Sequence, residues 1–317
     1  MYALVKNDSF DETENIVKKR MVIDISRMTV HNGPGIRTLI LFKGCPLRCV
    51  WCSTPESQKE SAELAFYPDK CILCGDCIPV CPENAISISN TSVFINRDLC
   101  NNCGNCAGVC YTETLRLLGR EYTVAELLDV VKRDTVAYKH SGGGVTISGG
   151  EPFQRPDFLL ELLQELKKNE ISAGVDTCGF TSRKNIEVVL PYIDFFLWDV
   201  KHMDDSTHLE LTGVSNRLIL DNLNFVSDRG IPIYLRIPVI PGYNDSDENL
   251  LALCDFAQSL RSLVEIDLLP LHHLGKARYL ALGREYPIEE IPLVRNETLN
   301  EMKRLIESSG LKCNIIR

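Results

Sequence analysis

The sequence predicts a partial parallel α/β barrel, (β/α)6, with a small cysteine-rich module inserted after its first strand. Three observations lead there. From about residue 120 onward, short apolar runs alternate with helical patterns, as βα units on a parallel sheet do. Six such units can be counted from Leu39. A closed eight-fold barrel usually takes about 250 residues, and a chain of 317 has fewer once its N-terminal extension and insert are set aside. Finally, a four-cysteine pattern occurs twice between Cys71 and Cys110, just after the first strand of the barrel.

Composition narrows the class. Hydrophobic residues make up 44% of the chain, enough for a sizeable core. A net charge of −9 and a pI near 5.3 argue against non-specific binding to nucleic acid or an anionic membrane. No stretch of 18 apolar residues is present to span a bilayer. Residues 1–20 mix acidic and basic side chains without an apolar segment, so they read as an extension rather than a signal peptide. Of fourteen cysteines, three lie in one loop, eight between Cys71 and Cys110, and only Cys178, Cys254 and Cys313 elsewhere. Regular CxxC spacing without a secretory signal reads as metal ligation in a reducing cytoplasm. The expected organisation is an extension over 1–20, a barrel over 21–53 and 114–317, and an insert over 54–113.

Taken in order, Met21–Ile25 alternates as a strand, and His31-Asn32-Gly33-Pro34-Gly35-Ile36-Arg37-Thr38 contains a tight turn. Leu39–Phe42 is the first core strand. It delivers Gly44-Cys45-Pro46-Leu47-Arg48-Cys49-Val50-Trp51-Cys52 from its C-terminal end. Three thiolates can hold three irons of a [4Fe–4S] cube and leave the fourth iron open, unlike an electron-transfer cluster with four protein thiolates. The open corner suggests chemistry at the cluster; a zinc site is the alternative reading of the loop alone. Cys71, Cys74, Cys77 and Cys81 then repeat, about 29 residues on, as Cys100, Cys103, Cys106 and Cys110. This is the two-cluster ferredoxin run, in which the fourth cysteine of each copy ligates the other cluster. The expected sets are Cys71, Cys74, Cys77 and Cys110, and Cys100, Cys103, Cys106 and Cys81.

Thr123 and Glu126 form a capping box that opens the next helix. Strands are expected at Val145–Ser148, Ile171–Asp176, Phe195–Asp199, Ile233–Ile237 and Val264–Leu269. Helices are expected after Pro156, near Asp247–Ser262 and over Glu297–Ser308, with a small terminal strand within Leu311–Ile316. Polar motifs fall just after the strands: Ser148-Gly149-Gly150-Glu151-Pro152, Asp176-Thr177-Cys178-Gly179, Asp199-Val200-Lys201, Arg236 with Ile240-Pro241-Gly242, and Leu271-His272-His273. In a parallel barrel these ends converge on one face, where active sites lie. Gly149 and Gly150 would let backbone approach a ligand closely. Glu151 could accept from an ammonium group or cap the following helix. Arg236 could clamp a carboxylate or form a rim salt bridge. His272 could equally be a packed histidine. Asp199 and Lys201 are not both expected to point inward unless the strand bends. Cys254 reads as a core residue on a helix.

HNGPGIRT, GCPLRCVWC, SGGEP, DTCG, DVKHMD, RIPVIPG and LPLHHLG together resemble the radical S-adenosylmethionine (SAM) enzymes that activate glycyl radical enzymes. The resemblance covers roughly residues 21–290, and the eight-cysteine insert matches their longer subgroup. It implies a radical SAM barrel, three [4Fe–4S] clusters and SAM bound to the open iron at Cys45, Cys49 and Cys52. Gly149, Gly150 and Glu151 would meet the SAM methionyl group, and Asp199, Lys201, Arg236 and His272 would complete the pocket. Ser53, Thr177 and Val200 lie within the same binding motifs. Trp51 would flank the cluster and the nucleoside, while Asp176 and Asp199 would hold a monovalent cation, Na+ or K+. Cys178 stands where the shorter activase has Asn and reads as a tolerated small residue.

The implied reaction is oxidoreductive. Reduced ferredoxin or flavodoxin supplies the electron, SAM is cleaved to a 5′-deoxyadenosyl radical, and that radical takes a hydrogen atom from a backbone glycine of the partner, a glycyl radical enzyme. Cys45, Cys49, Cys52 and Lys201 are the expected catalytic set. Two other readings compete: a radical SAM maturase of sulfatases or peptides, and a non-enzymatic iron–sulfur electron carrier. The insert is expected to wall the partner-docking surface as well as relay electrons, and residues 54–61 and 278–285 are candidates for that surface.

Overall fold

A computed structural model describes residues 18–316. Most of the extension read over 1–20 therefore lies outside the described residues. The described strands are β1 (Arg20–Thr29), β2 (Arg37–Phe42), β3 (Glu63–Phe66), β4 (Ile86–Ile88), β5 (Val93–Ile95), β6 (Leu115–Leu118), β7 (Arg120–Tyr122), β8 (Gly144–Gly149), β9 (Ser172–Thr177), β10 (Phe195–Asp199), β11 (Ile233–Val239), β12 (Leu263–Pro270) and β13 (Cys313–Ile315). Nine of them make one sheet in the order β13-β12-β11-β10-β9-β8-β2-β1-β7. From β2 through β13 all neighbours are parallel, and β1 and β7 extend the sheet antiparallel beyond β2. The sheet is open, with β13 and β7 at its edges. It thus has the six strands expected of the partial barrel, β2 and β8 to β12, plus the short terminal strand.

The two faces follow from strand alternation. Val145, Ile147, Val175, Phe196, Trp198, Leu235, Ile237, Ile266 and Leu268 are buried in one core with Leu159, Leu163 and Leu166. Those leucines lie on the helix Pro156–Lys168, which has proline in its first turn. The other face carries Thr146, Ser148, Asp176, Asp199, Arg236 and Asp267. In register, Asp199 pairs with Arg236 and Arg236 with Asp267. Such a polar row is incompatible with a packed apolar interior, so the concave face is built for ligands.

Residues 31–36 fold into that concave face and close one end of it. The His31 carbonyl accepts from Arg236 Nη2 at 2.7 Å, and the Asn32 carbonyl from Thr146 Oγ1 at 2.6 Å. Gly33 has φ +106°, and a Cβ there would sit 2.3 Å from the Phe195 ring. The tight turn expected here is therefore also an internal plug.

The insert has its own small core of Leu64, Ile86, Val93, Ile95, Leu115 and two cysteines, Cys77 and Cys106. β3 pairs with β6, and β4 with β5, both antiparallel. A polar seam joins this part to the barrel. Arg284 Nη1 donates to the Pro55 carbonyl at 2.8 Å, and Arg284 and Arg278 pair with Glu63 and Glu56. Lys43 Nζ lies 3.4 Å from Glu63. The stretches 54–61 and 278–285 therefore face each other: Pro55, Glu56 and Ser57 are buried in the seam. Glu56 and Arg278 pair with each other at the seam, while Lys59, Glu60, Ser61, Leu280, Gly283 and Glu285 stay exposed on the two stretches.

Candidate active site

The three-cysteine loop leaves the end of β2 and is held by backbone hydrogen bonds from two directions. Gly44 N donates to Ser57 O at 2.7 Å and Cys45 N to Gln58 O at 3.2 Å. Arg48 N donates to Thr212 O at 2.7 Å and Val50 N to Leu211 O at 3.0 Å, at the end of the helix Asp205–Thr212. Trp51, buried, lies edge-on to Tyr243 in an apolar cluster with Leu211, Ile240 and Leu271. Burial raises all three thiols, Cys49 to about 11. Such thiols become thiolates only beside a cation, as iron provides. Ser53 is exposed at the loop's end, next to Gly275.

The glycine pair has a structural job beside the one expected of it. A Cβ on Gly149, at φ +109°, would lie 2.3 Å from Phe42 N, and one on Gly150 would lie 2.2 Å from Gly44 O. Gly150 N donates to Phe42 O and Glu151 N to Gly44 O, each at 2.7 Å. What approaches so closely is the backbone of the cysteine loop itself. Glu151 is fully buried and accepts four donors: Phe153 N at 3.1 Å, Thr177 Oγ1 at 2.7 Å, and Cys178 N and Sγ at 2.9 Å each. Four donors fill both oxygens. The capping alternative for Glu151 is the one seen here, as it caps the turn Pro152–Gln154. Burial and the neighbouring Glu151 raise the Cys178 thiol well above its usual value, so this cysteine is a hydrogen-bond donor rather than a nucleophile. Nothing in the sequence pattern signalled that role.

The charged groups line the concave face. Asp176 accepts from Ser148 Oγ at 2.7 Å and lies 3.4 Å from Arg236 Nη1. Burial raises the Asp176 carboxyl, opposed by Arg236 and reinforced by Asp199. Lys201 Nζ donates to Asp199 Oδ2 at 2.8 Å. Residues two apart on an extended chain share a face, so the expectation that Asp199 and Lys201 diverge is corrected. Burial works against the Lys201 ammonium, but Asp199, Cys49 and Cys178 together outweigh it and hold the group well above its ordinary value. Val200, between them, is buried in the outer core and offers only backbone: its N–H donates to Arg236 O at 2.9 Å. Thr177 likewise turns toward Glu151. Asn244, buried and absent from the sequence reading, binds Lys201 O at 3.1 Å and accepts from Ile240 N at 2.8 Å, fixing the turn after β11. His272 is exposed at the end of β12, whereas the packed histidine is His273, 3.0 Å from Tyr286 Oη.

The insert cysteines gather around two hollows. One is lined by Cys71, Cys74, Cys77 and Cys110, the other by Cys81, Cys100, Cys103 and Cys106. Each ring thus takes one cysteine from the other copy of the repeat. Among the described residues, no group of three or more His, Cys, Asp or Glu is spaced to hold a single metal ion. Four thiols around each hollow match the number of protein ligands that a [4Fe–4S] cluster takes.

The Radical SAM superfamily profile matches residues 91–254, and the 4Fe-4S binding domain profile matches residues 64–87. The chain therefore falls in the radical SAM class. It is 41% identical over 297 residues to the isethionate sulfite-lyase activating enzyme of Nitratidesulfovibrio vulgaris, covering 92% of this chain and 96% of that protein. It is 38% identical over 308 residues to the choline trimethylamine-lyase activating enzyme of Oleidesulfovibrio alaskensis, covering 95% and 99%. The crystal structure of Streptococcus suis SuiB bound to precursor peptide SuiA shares the fold, with a TM-score of 0.51 at 13% identity over 86% of this chain and 46% of that one. The chain belongs to the activating enzymes of glycyl radical enzymes, a family within the radical SAM superfamily.

Proposed function

We propose that this activating enzyme binds one [4Fe–4S] cluster at Cys45, Cys49 and Cys52, binds SAM against it, and holds two further [4Fe–4S] clusters in a ferredoxin-like insert, residues 54–113. The observation that carries this reading is the convergence, at one end of the concave face, of a three-thiol loop, the Ser148–Glu151 turn and the Asp176, Asp199, Lys201 and Arg236 quartet.

When bound, the cluster and SAM together supply one electron and a hydrogen-atom acceptor for a backbone glycine of the partner enzyme. The chain's own residues position and exclude. Arg236 and Lys201 present the positive charge that a SAM carboxylate needs. Arg236 Nε, buried and without a partner among the described residues, is a donor in reserve. With Glu151 filled, the ammonium group falls to backbone carbonyls of the Gly149–Gly150 turn. Asp176 and Asp199 would share a monovalent cation. Trp51 walls the loop, with Ser53 and His272 at the rim. The plug at residues 31–36 keeps water from the far end of the face. Reduced ferredoxin or flavodoxin is the proposed electron donor, and the cytoplasm the proposed compartment. No helix among the described residues is long and apolar enough to cross a membrane.

Anaerobic reconstitution with iron, sulfide, SAM and dithionite tests the reading. It requires 5′-deoxyadenosine and methionine, and a glycyl radical signal by electron paramagnetic resonance once a partner enzyme is added. Bound iron that never cleaves SAM would overturn it.

A further inference from the structure

The two cysteine rings of the insert are not placed alike, and one arginine marks the difference. Arg97 lies three residues before Cys100, a member of the ring of Cys81, Cys100, Cys103 and Cys106. Its guanidinium is within electrostatic reach of Cys100 and Cys106. The same guanidinium donates to the carbonyl of Leu64, which lines that ring, and to the carbonyl of Ala281 at 2.9 Å, across the seam on the helix Gly275–Ala281. Gly283 leaves room for it: a Cβ there would come within 3.2 Å of Arg97 Nε. Glu63, next to Leu64, pairs with Lys43, two residues before Cys45. The other ring is lined instead by Ile72 and Tyr111, which are 68% and 91% exposed.

We propose that Arg97 is a positioning residue that seats the Cys81/Cys100/Cys103/Cys106 cluster against the barrel and sets its potential apart from that of its twin. This rests on the proposal that both rings hold [4Fe–4S] clusters. A fixed positive charge favours the reduced, more negative state of a cluster. The barrel-side cluster is therefore easier to reduce than it would otherwise be. One electron would pass to it from the outer cluster, which would be oxidised by losing it and reduced again by a one-electron donor such as reduced ferredoxin or flavodoxin.

The test is a redox titration of the reconstituted full-length protein, followed by electron paramagnetic resonance, for wild type, R97Q and R97K. C103S and C74S, each altering one ring, assign the signals. The expected result is a lower midpoint potential for the Cys103-ring cluster in R97Q, an unmoved Cys74-ring cluster, and recovery of most of the shift in R97K. No shift, an equal shift in both, or a shift in the Cys74-ring cluster would overturn the proposal. Dithionite-driven formation of 5′-deoxyadenosine should persist in R97Q, because dithionite can reduce the barrel cluster directly. Its absence from wild type would count against the proposed function, and wild-type spectra lacking two insert clusters would count against the premise, each separately from Arg97.

Discussion

The barrel site and the insert both collect cysteines, but they hold them by different means. The barrel loop is fastened by main-chain hydrogen bonds to Ser57, Gln58, Leu211 and Thr212 and backed by a large apolar core. Its geometry is held by the protein's own backbone. The insert counts two of its own cysteines among the buried residues of a small core and leaves Cys74 and Cys103 exposed. A module of about 60 residues buries a smaller share of its surface and is marginal alone, a deficit that a bound metal commonly makes up. One site is a socket fastened by main-chain hydrogen bonds; the other, on the proposal above, is a fold that its clusters would help to create.

The largest expected effect separates the two by activity. Cys49→Ala should reduce dithionite-driven 5′-deoxyadenosine to background, whereas Cys74→Ser should leave it within a few-fold of wild type. Equal losses would erase the distinction. Iron chelation sharpens it structurally: amide exchange should rise to near-unfolded rates across residues 63–118, while β8 to β12 stay protected. Uniform loss of protection would mean that the two parts fold as one.

Within the barrel, Glu151→Ala leaves buried donors unmatched, at about 1–3 kcal/mol each. With four donors, and about 1.5 °C per kcal/mol for a chain of this length, the expected fall in Tm is roughly 6–18 °C by calorimetry, and an unchanged Tm would show that the Glu151 network is not structural. The smallest effect is acidic. Arg27 hydrogen-bonds Asp134 at 2.8 Å and holds its carboxyl below the ordinary value of 3.8, with Thr38 donating as well. A lowered carboxylate value contributes stability above the unfolded value, and the contribution is lost as pH falls through the folded one. Since Arg27 is 43% exposed, screening limits the gain to about 1 kcal/mol. Asp134→Asn should lose that much at pH 7 and show a shallower decline below pH 4 in urea melts.

Much of this was legible in the sequence because it is local. Strand runs end within a few residues of the observed strands, the Thr123–Glu126 capping box forms with Thr123 N donating to Glu126 at 2.8 Å, and cysteine spacing repeats along the chain. What escaped was long-range. The plug needs Arg236 to meet His31, and the seam needs Arg284 to meet Pro55 and Glu63; no local pattern links residues 200 positions apart. Cys178 gave no sign that its thiol completes the shell of Glu151. Gly149 and Gly150 announced close approach, but a glycine does not say what approaches it.

Those two glycines have a consequence for anyone moving this chemistry to another scaffold. The turn after β8 and the loop after β2 are moulded to each other atom by atom, so transplanting nine residues of cysteine loop alone would set them on a shelf of the wrong height. The portable unit is the pair, and a barrel with any larger residue at position 149 or 150 would push the iron's cradle out of line before SAM arrived.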